Sequence, residues 1–251
     1  MSQIAVVSFS PTGSTLKVAK TIASVWGADN EQFDLSKANF LPTVCQSDIA
    51  VIAMPVYAGR VPAVAIERLR RLTTKKTRAI TVVVYGNRAY EDALLELNDE
   101  ARSLGFDIVA SAAVVAEHSV VGELATGRPN ELDMQNLQSF ARLVKLKIDR
   151  GETTSIEVPG NRPYREGMKT PVTPQVSAAC VGCRLCVRMC PTQAISMADP
   201  KQTESDKCIL CMRCIKNCPV KARSLPKPFN DAMRAKLSSF SAVVRENEFF
   251  L

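Results

Sequence analysis

Near its carboxyl end this chain repeats one cysteine pattern, and few folds can carry it. Cys180, Cys183, Cys186 and Cys190 run up to Pro191, and Cys208, Cys211, Cys214 and Cys218 run up to Pro219. Both runs read C-x-x-C-x-x-C-x-x-x-C-P, the second 28 residues after the first. This is the spacing of a module that holds two iron–sulfur clusters. Three closely spaced cysteines put thiolates on three corners of one cubane, while the fourth reaches across to the other cluster. The proline after it stops the short helix from continuing. The spacing therefore assigns Cys180, Cys183, Cys186 and Cys218 to one 4Fe-4S cluster, and Cys208, Cys211, Cys214 and Cys190 to the other. The repeat runs past the ligands: Val181 matches Ile209, Val187 matches Ile215, and Ala194-Ile195-Ser196 matches Ala222-Arg223-Ser224.

Zinc and disulfides fit less well. Structural zinc takes paired C-x-x-C ligands, not four cysteines in eleven residues with a trailing proline. A disulfide framework goes with an oxidising compartment and a secretory leader. The sequence opens with no basic, apolar leader and has no apolar run approaching about 18 residues. The expectation is a cytoplasmic chain without a membrane span. The ninth cysteine, Cys45, lies outside the repeat and reads as a small buried or loop side chain.

The remaining length bounds what the cysteines can serve. The chain has 251 residues, more than one domain usually needs. The organisation expected is an N-terminal domain over 1–150, a Pro-rich connecting arm over 151–174, a cysteine module over 175–228 and a helical tail over 229–251. The arm holds Pro159, Gly160, Pro163, Gly167, Pro171 and Pro174, and reads as partly extended. In the tail Phe229, Met233, Leu237, Phe240 and Val244 recur at helical spacing.

Within 1–150, apolar β-branched runs alternate with helical patterns. Strands are expected over 4–8, 33–35, 49–54, 79–85 and 108–116, and helices over 14–25, 61–72, 91–104 and 131–150. Alternating strands and helices with near-continuous apolar strands give an α/β, doubly wound, parallel five-stranded sheet. In such a sheet ligands bind beyond the carboxyl ends of the strands. The loop after the first strand reads Ser8-Phe9-Ser10-Pro11-Thr12-Gly13-Ser14-Thr15. Hydroxyls at Ser10, Thr12, Ser14 and Thr15 surround Gly13 just before a helix N-terminus, a setting that suits a phosphate. With no G-x-x-x-x-G-K and no G-x-G-x-x-G, a monophosphate ester fits better than a nucleoside triphosphate or a dinucleotide.

That loop, Ser10-x-Thr12-Gly13-x-Thr15, resembles the phosphate loop of flavodoxins. The strand-end stretches Pro55, Val56, Tyr57, Ala58 and Gly59, and Tyr85, Gly86, Asn87 and Arg88, stand where flavodoxins hold the FMN ring. With the cysteine repeat behind them, nearly the whole chain resembles the flavodoxin–ferredoxin fusion proteins of anaerobic bacteria and archaea. The resemblance implies a flavodoxin-like domain that binds FMN, then a small α+β ferredoxin domain with two 4Fe-4S clusters. Asn87 could also cap the next helix, and Arg60 and Arg88 could hold phosphate or partner carboxylates or be solvated surface. His118, the only histidine, follows the fifth expected strand on the cofactor side; it is the one candidate catalytic residue, as a proton donor to the flavin, against a loop histidine bonded to backbone.

The formal net charge is +7, and nearly all of it lies in the second half. Residues 1–150 carry 17 Lys+Arg and 16 Asp+Glu; residues 151–251 carry 15 and 9. Each oxidised cubane with its thiolates brings about −2, which offsets much of this. Arg184, Arg188, Arg213 and Lys216 sit inside the cysteine runs to do so. The basic residues are not interleaved with stacking aromatics, so nucleic acid is not expected. Redox partner proteins are, including acidic ferredoxin-like donors, and a homo-oligomer is open. An electron carrier joining one-electron and two-electron partners is favoured. The alternative is an FMN-dependent reductase of a small organic acceptor, such as a quinone or a flavin, fed through the clusters.

Overall fold

The computed structural model describes residues 3–27, 30–74, 76–152, 154–167 and 171–251. Its main sheet starts with β1 (Ile4–Ser8), β2 (Glu31–Asp34) and β4 (Ile49–Pro55), and continues with β6 (Arg78–Tyr85) and β7 (Asp107–Val115). Successive residues of β1 go to opposite faces: Ile4 and Val6 enter one core cluster, Ala5 and Val7 the other. That alternation needs apolar residues at every position, which is why the strands read as unbroken apolar runs.

Helices cover both faces. α1 (Ser14–Ala23) sends Val18, Ala19 and Ile22 into one core. The long α4 (Glu131–Asp149) adds Leu137, Phe140, Ala141 and Val144 to the same side. α2 (Ala63–Leu69) and α3 (Ala93–Ser103) close the other face through Ala65, Ile66, Leu69, Leu94 and Leu97. All neighbours among these five strands pair in parallel, in the order β2-β1-β4-β6-β7. Counting only these strands, that is the 2-1-3-4-5 order of the flavodoxin-like fold. A separate parallel pair, β3 (Thr43–Cys45) with β5 (Leu72–Thr74), buries Cys45.

The arm and the tail both make contacts that the sequence did not signal, and the tail departs from the expected helix. The arm has no regular structure between Gly151 and Pro174 among its described residues, and 153 and 168–170 lie outside them. It is nevertheless tied down. Ile156 is buried in the core, the Asn161 and Arg165 amides donate to the Asp92 carboxylate, and Arg162 makes a two-pronged ion pair with Asp99. The tail is not one helix. α7 (Lys227–Leu237) runs into a 3-10 turn to Phe240, and the chain then extends into β10 (Glu248–Phe250). β10 pairs antiparallel with β7, so the sheet has six strands, not five. Phe249 stacks on Phe140 with ring centroids 4.7 Å apart. Of the expected apolar stripe, Leu237, Met233 and Phe240 pack on Val121 and Leu124, whereas Val244 is 82% exposed.

The cysteine module is a small α+β unit. Its ends pair as β8 (Gln175–Val176) and β9 (Arg223–Ser224), and each cysteine run carries one short helix, α5 (Leu185–Met189) and α6 (Arg213–Lys216). The backbone repeats as faithfully as the sequence. Left-handed residues occur at Gly182 and Leu210, Arg184 and Met212, Gln193 and Lys221, each pair 28 residues apart. Gly182 takes this conformation freely, while the side chains at the other five positions carry its steric cost. These turns curl each run around its own sulfurs. No helix among the described residues is long and apolar enough to cross a membrane.

Candidate functional site

Four loops at the carboxyl end of the sheet enclose a pocket. The first follows β1 and supplies Pro11, Thr12, Ser14 and Thr15. The Ser10 hydroxyl accepts the Leu16 amide at 2.9 Å, and the Ser10 amide donates to the Ser36 hydroxyl, so Ser10 shapes the loop from behind. Gly13 caps α1 at φ 97°, a conformation glycine adopts without penalty. Gly13 offers no side chain to cap α1, and the first turn has no acidic residue. Its partial positive charge therefore faces the pocket beside the Thr12, Ser14 and Thr15 hydroxyls, a donor set that fits a phosphate monoester.

The second loop follows β4 and supplies Pro55, Val56, Tyr57, Ala58 and Gly59. Tyr57 and Arg60 exchange backbone hydrogen bonds across Ala58 and Gly59, both at positive φ. This is a tight hairpin turn of the type that demands such residues. A Cβ on Gly59 would run into Glu91 and Arg165, because the arm crosses here. Arg60 turns away from the pocket, making a two-pronged pair with Glu96 at 2.7–2.8 Å and lying over the Tyr164 ring.

The third wall comes from two loops, after β6 and after β7. Tyr85, Gly86, Arg88 and Ala89 line the pocket, as do Ala116, Glu117, His118 and Ser119. Gly86 lets them meet: a Cβ there would lie 2.9 Å from the His118 Cα. Arg88 is already paired with Glu91 at 2.7 Å. Asn87, expected at the ring, is buried and faces the tail instead. Its amide nitrogen donates to the Phe240 and Val243 carbonyls, because the returning chain needs donors there. Ser10, Gly13 and Asn87 thus support the walls and do not form them. Sequence reading missed Glu117 and Ser119, which follow a strand with no glycine-rich or hydroxyl-rich signature.

His118 accepts the Val120 and Val121 amides on Nδ1, at 3.2 and 3.0 Å, which puts its ring proton on Nε2. Burial, with Arg88 nearby, pushes its pKa down from 6.5 to about 4. Such a ring is a neutral hydrogen-bond donor at neutral pH and holds no spare proton to deliver, unlike the proton donor expected from sequence. In the unfolded chain the imidazole takes up a proton below 6.5, and in the fold only near about 4. Stability should be full above pH 6.5 and decline as pH falls through that window. Because this is the only histidine, its NMR titration is unambiguous. A midpoint near about 4 is expected; one near 6.5 would refute the buried, neutral assignment.

The cysteines form two further cavities. One is walled by Cys180, Cys183, Cys186 and Cys218, the other by Cys190, Cys208, Cys211 and Cys214. These are the crossed sets expected from the spacing, each with three sulfurs from one run and the fourth from the other. All eight thiols are free. None of the described His, Cys, Asp or Glu groups closes on a single ion; the sulfurs surround a space, as a cubane requires. The Ala194 and Ala222 amides point at the Cys190 and Cys218 sulfurs, at 3.3 and 3.2 Å. Burial pushes the Cys211 and Cys214 thiols up to about 12 and about 11. Sulfurs so costly to ionise bare suit a bound cationic iron that holds them as thiolates.

The second cavity abuts the sheet domain. Ile209 packs on the core, Arg213 reaches the Ser36 carbonyl at 3.3 Å, and Arg68 reaches the Pro191 carbonyl at 2.5 Å. Tyr57 lines the strand-end pocket, and its hydroxyl is pushed far up by burial and by the nearby Cys211 sulfur. Tyr57 of the pocket thus lies near a sulfur of the second cavity, and Lys216 of the module approaches the pocket residue Glu117 at 3.9 Å.

Residues 179–222 match the family model of the 4Fe-4S dicluster domain. No curated protein matches the chain. Among solved structures, the chain is similar to the flavodoxin of Streptococcus pneumonia, at 23% identity and a TM-score of 0.40, covering 58% of this chain and 99% of that one. It is similar to the Fusobacterium nucleatum flavodoxin bound to flavin mononucleotide, at 15% identity and a TM-score of 0.41, covering 59% and 99%. It also resembles the rubredoxin oxygen:oxidoreductase of Desulfovibrio gigas, at 15% identity and a TM-score of 0.40, over 58% of this chain but only 37% of that one.

Proposed function

From a chain that joins a flavodoxin-like sheet to a 4Fe-4S dicluster domain, we infer an electron carrier that links one-electron to two-electron redox partners. FMN would occupy the strand-end pocket, and one 4Fe-4S cluster each of the two cysteine-walled cavities. FMN exchanges one or two electrons and such a cluster exchanges one. The observation that carries this reading is proximity: Tyr57 walls the pocket and lies near the Cys211 sulfur of the second cavity.

The chain's own residues divide the work. Thr12, Ser14, Thr15 and the start of α1 hold the phosphate end, and the Tyr57 and Gly86 loops shape the ring end. Ile209 and the apolar core beside it keep water from the join between the two units. The Cys180 set lies on the outer side, with Cys183 exposed, which suits exchange with a partner protein. From residue 171 to 198 the module has no acidic residue, so an acidic donor is favoured. Eight reduced thiols fit a reducing compartment such as the cytoplasm.

Anaerobically prepared protein should hold one FMN and about eight irons per chain. An acidic ferredoxin, reduced beforehand, should then reduce the flavin, and Cys211→Ser should abolish that transfer while leaving FMN bound. Equal flavin reduction in both proteins would sink the carrier. His118 on the pocket wall, a neutral hydrogen-bond donor that could hold an acceptor, favours the second reading, a reductase of a small acceptor. Saturable turnover of a soluble quinone, weakened by His118→Gln, would select it.

A further inference from the structure

The two halves of the module differ at one buried position. Ile195 of the first half corresponds to Arg223 of the second. Arg223 is only 4% exposed, yet among the described residues no carboxylate pairs with it. Its Nη1 donates to the Thr203 hydroxyl at 3.4 Å and to the Cys214 sulfur at 3.9 Å, and its Nη2 donates to the Pro200 carbonyl. The same side chain lines the cavity of Cys180, Cys183, Cys186 and Cys218. One guanidinium thus lies between the two sulfur cages, touching a ligand of one and walling the other.

A buried cation without a counter-charge is costly. The compensating anions here are the cages themselves, since a thiolate-bound cubane is negative and gains a further negative charge on reduction. Resting on the function proposed above, we propose that Arg223 sets the potentials of the two clusters and makes them unequal. It stabilises the reduced state of the cluster bound by Cys214 through both charge and an N–H···S contact. Hydrogen bonds to sulfur and local charge are among the recognised determinants of cluster potential. Ile195, at the equivalent place, offers neither. The asymmetry raises the potential of the inner cluster, the one beside Tyr57, and so biases electrons towards the pocket.

The test is a redox titration followed by electron paramagnetic resonance on the loaded protein. Arg223→Ile makes the halves alike and should lower the inner cluster's potential by at least the equivalent of a tenfold change in its reduction equilibrium, 59 mV for one electron. Arg223→Lys, which keeps the charge, should retain most of the wild-type value, and a purely structural role would not show this rescue. Unchanged potentials in Arg223→Ile would overturn the proposal. A second measurement needs no variant: in reduced protein labelled with 15N-arginine, electron–nuclear double resonance should detect a guanidinium nitrogen and an exchangeable proton coupled to one cluster. Absence of that coupling would equally overturn it. Iron content separates this failure from failure of the function itself: two loaded clusters with insensitive potentials reject Arg223 alone, whereas missing iron rejects the reading beneath it.

Discussion

Replacing Cys218 by serine should empty the cavity of Cys180, Cys183 and Cys186, although Cys218 belongs to the other run. The expected iron content falls from about eight to about four per chain. The crossed walls of the two cavities make this result specific. Cys183→Ser should cause the same loss, and the double variant Cys183→Ser, Cys218→Ser should lose no more, because both remove ligands of one cluster. Pairing Cys218→Ser with Cys211→Ser should instead remove nearly all iron. Such non-additivity marks residues that share one site. If each run held its own cluster, Cys218→Ser would behave like Cys211→Ser, and the double variant of Cys211 and Cys218 would keep four irons. Iron analysis with the electron paramagnetic resonance of the reduced protein separates these outcomes.

A comparable effect is expected at the other cofactor site. Thr15 is buried at the start of α1, and Thr12 lines the same pocket. Changing both to valine keeps their shape and removes two hydroxyl donors. A hydrogen bond to a charged group contributes about 1.5–3 kcal/mol, so FMN should bind about a hundredfold more weakly or worse. Riboflavin, which has no phosphate, is the internal control, and its affinity should stay nearly unchanged. Titration of the flavin-free protein, followed by quenching of flavin fluorescence, measures both. An equal loss for the two ligands would mean that the threonines support the loop and do not touch a phosphate.

Both predictions rest on patterns readable in the sequence, since both sites are built from residues close together in the chain. The cysteine spacing contained even the crossed pairing, and the 28-residue repeat extends to backbone conformation. The hydroxyl loop was legible for the same reason: a strand, a short turn and a helix N-terminus lie within a dozen residues. What escaped the sequence depends on distant segments. Nothing near Asn87 signals that Phe240 and Val243 will claim its amide. Proline and glycine in the arm report local extension, but Ile156, Asn161 and Arg162 tie it to α3 and the core. Glu248-Phe249-Phe250 is too short to mark itself as a strand, and only the open edge of β7 makes it one. Arg223 stood out in the repeat solely as a mismatch; its burial between two sulfur cages required the assembled module.

The return of the chain to the sheet has a consequence for assembly. The three residues of β10 form the outer strand, and Asn247 and Arg245 bind the β7 end and the Asn87 loop. A ribosome that has made the first 150 residues has therefore not yet produced all of the sheet domain. The cysteine module is threaded between two parts of one sheet, like a bead on a cord fixed at both ends. The order of synthesis therefore places the whole cysteine module between the first five strands and the sixth. Until those last residues emerge, the edge of β7 stays open to any other strand.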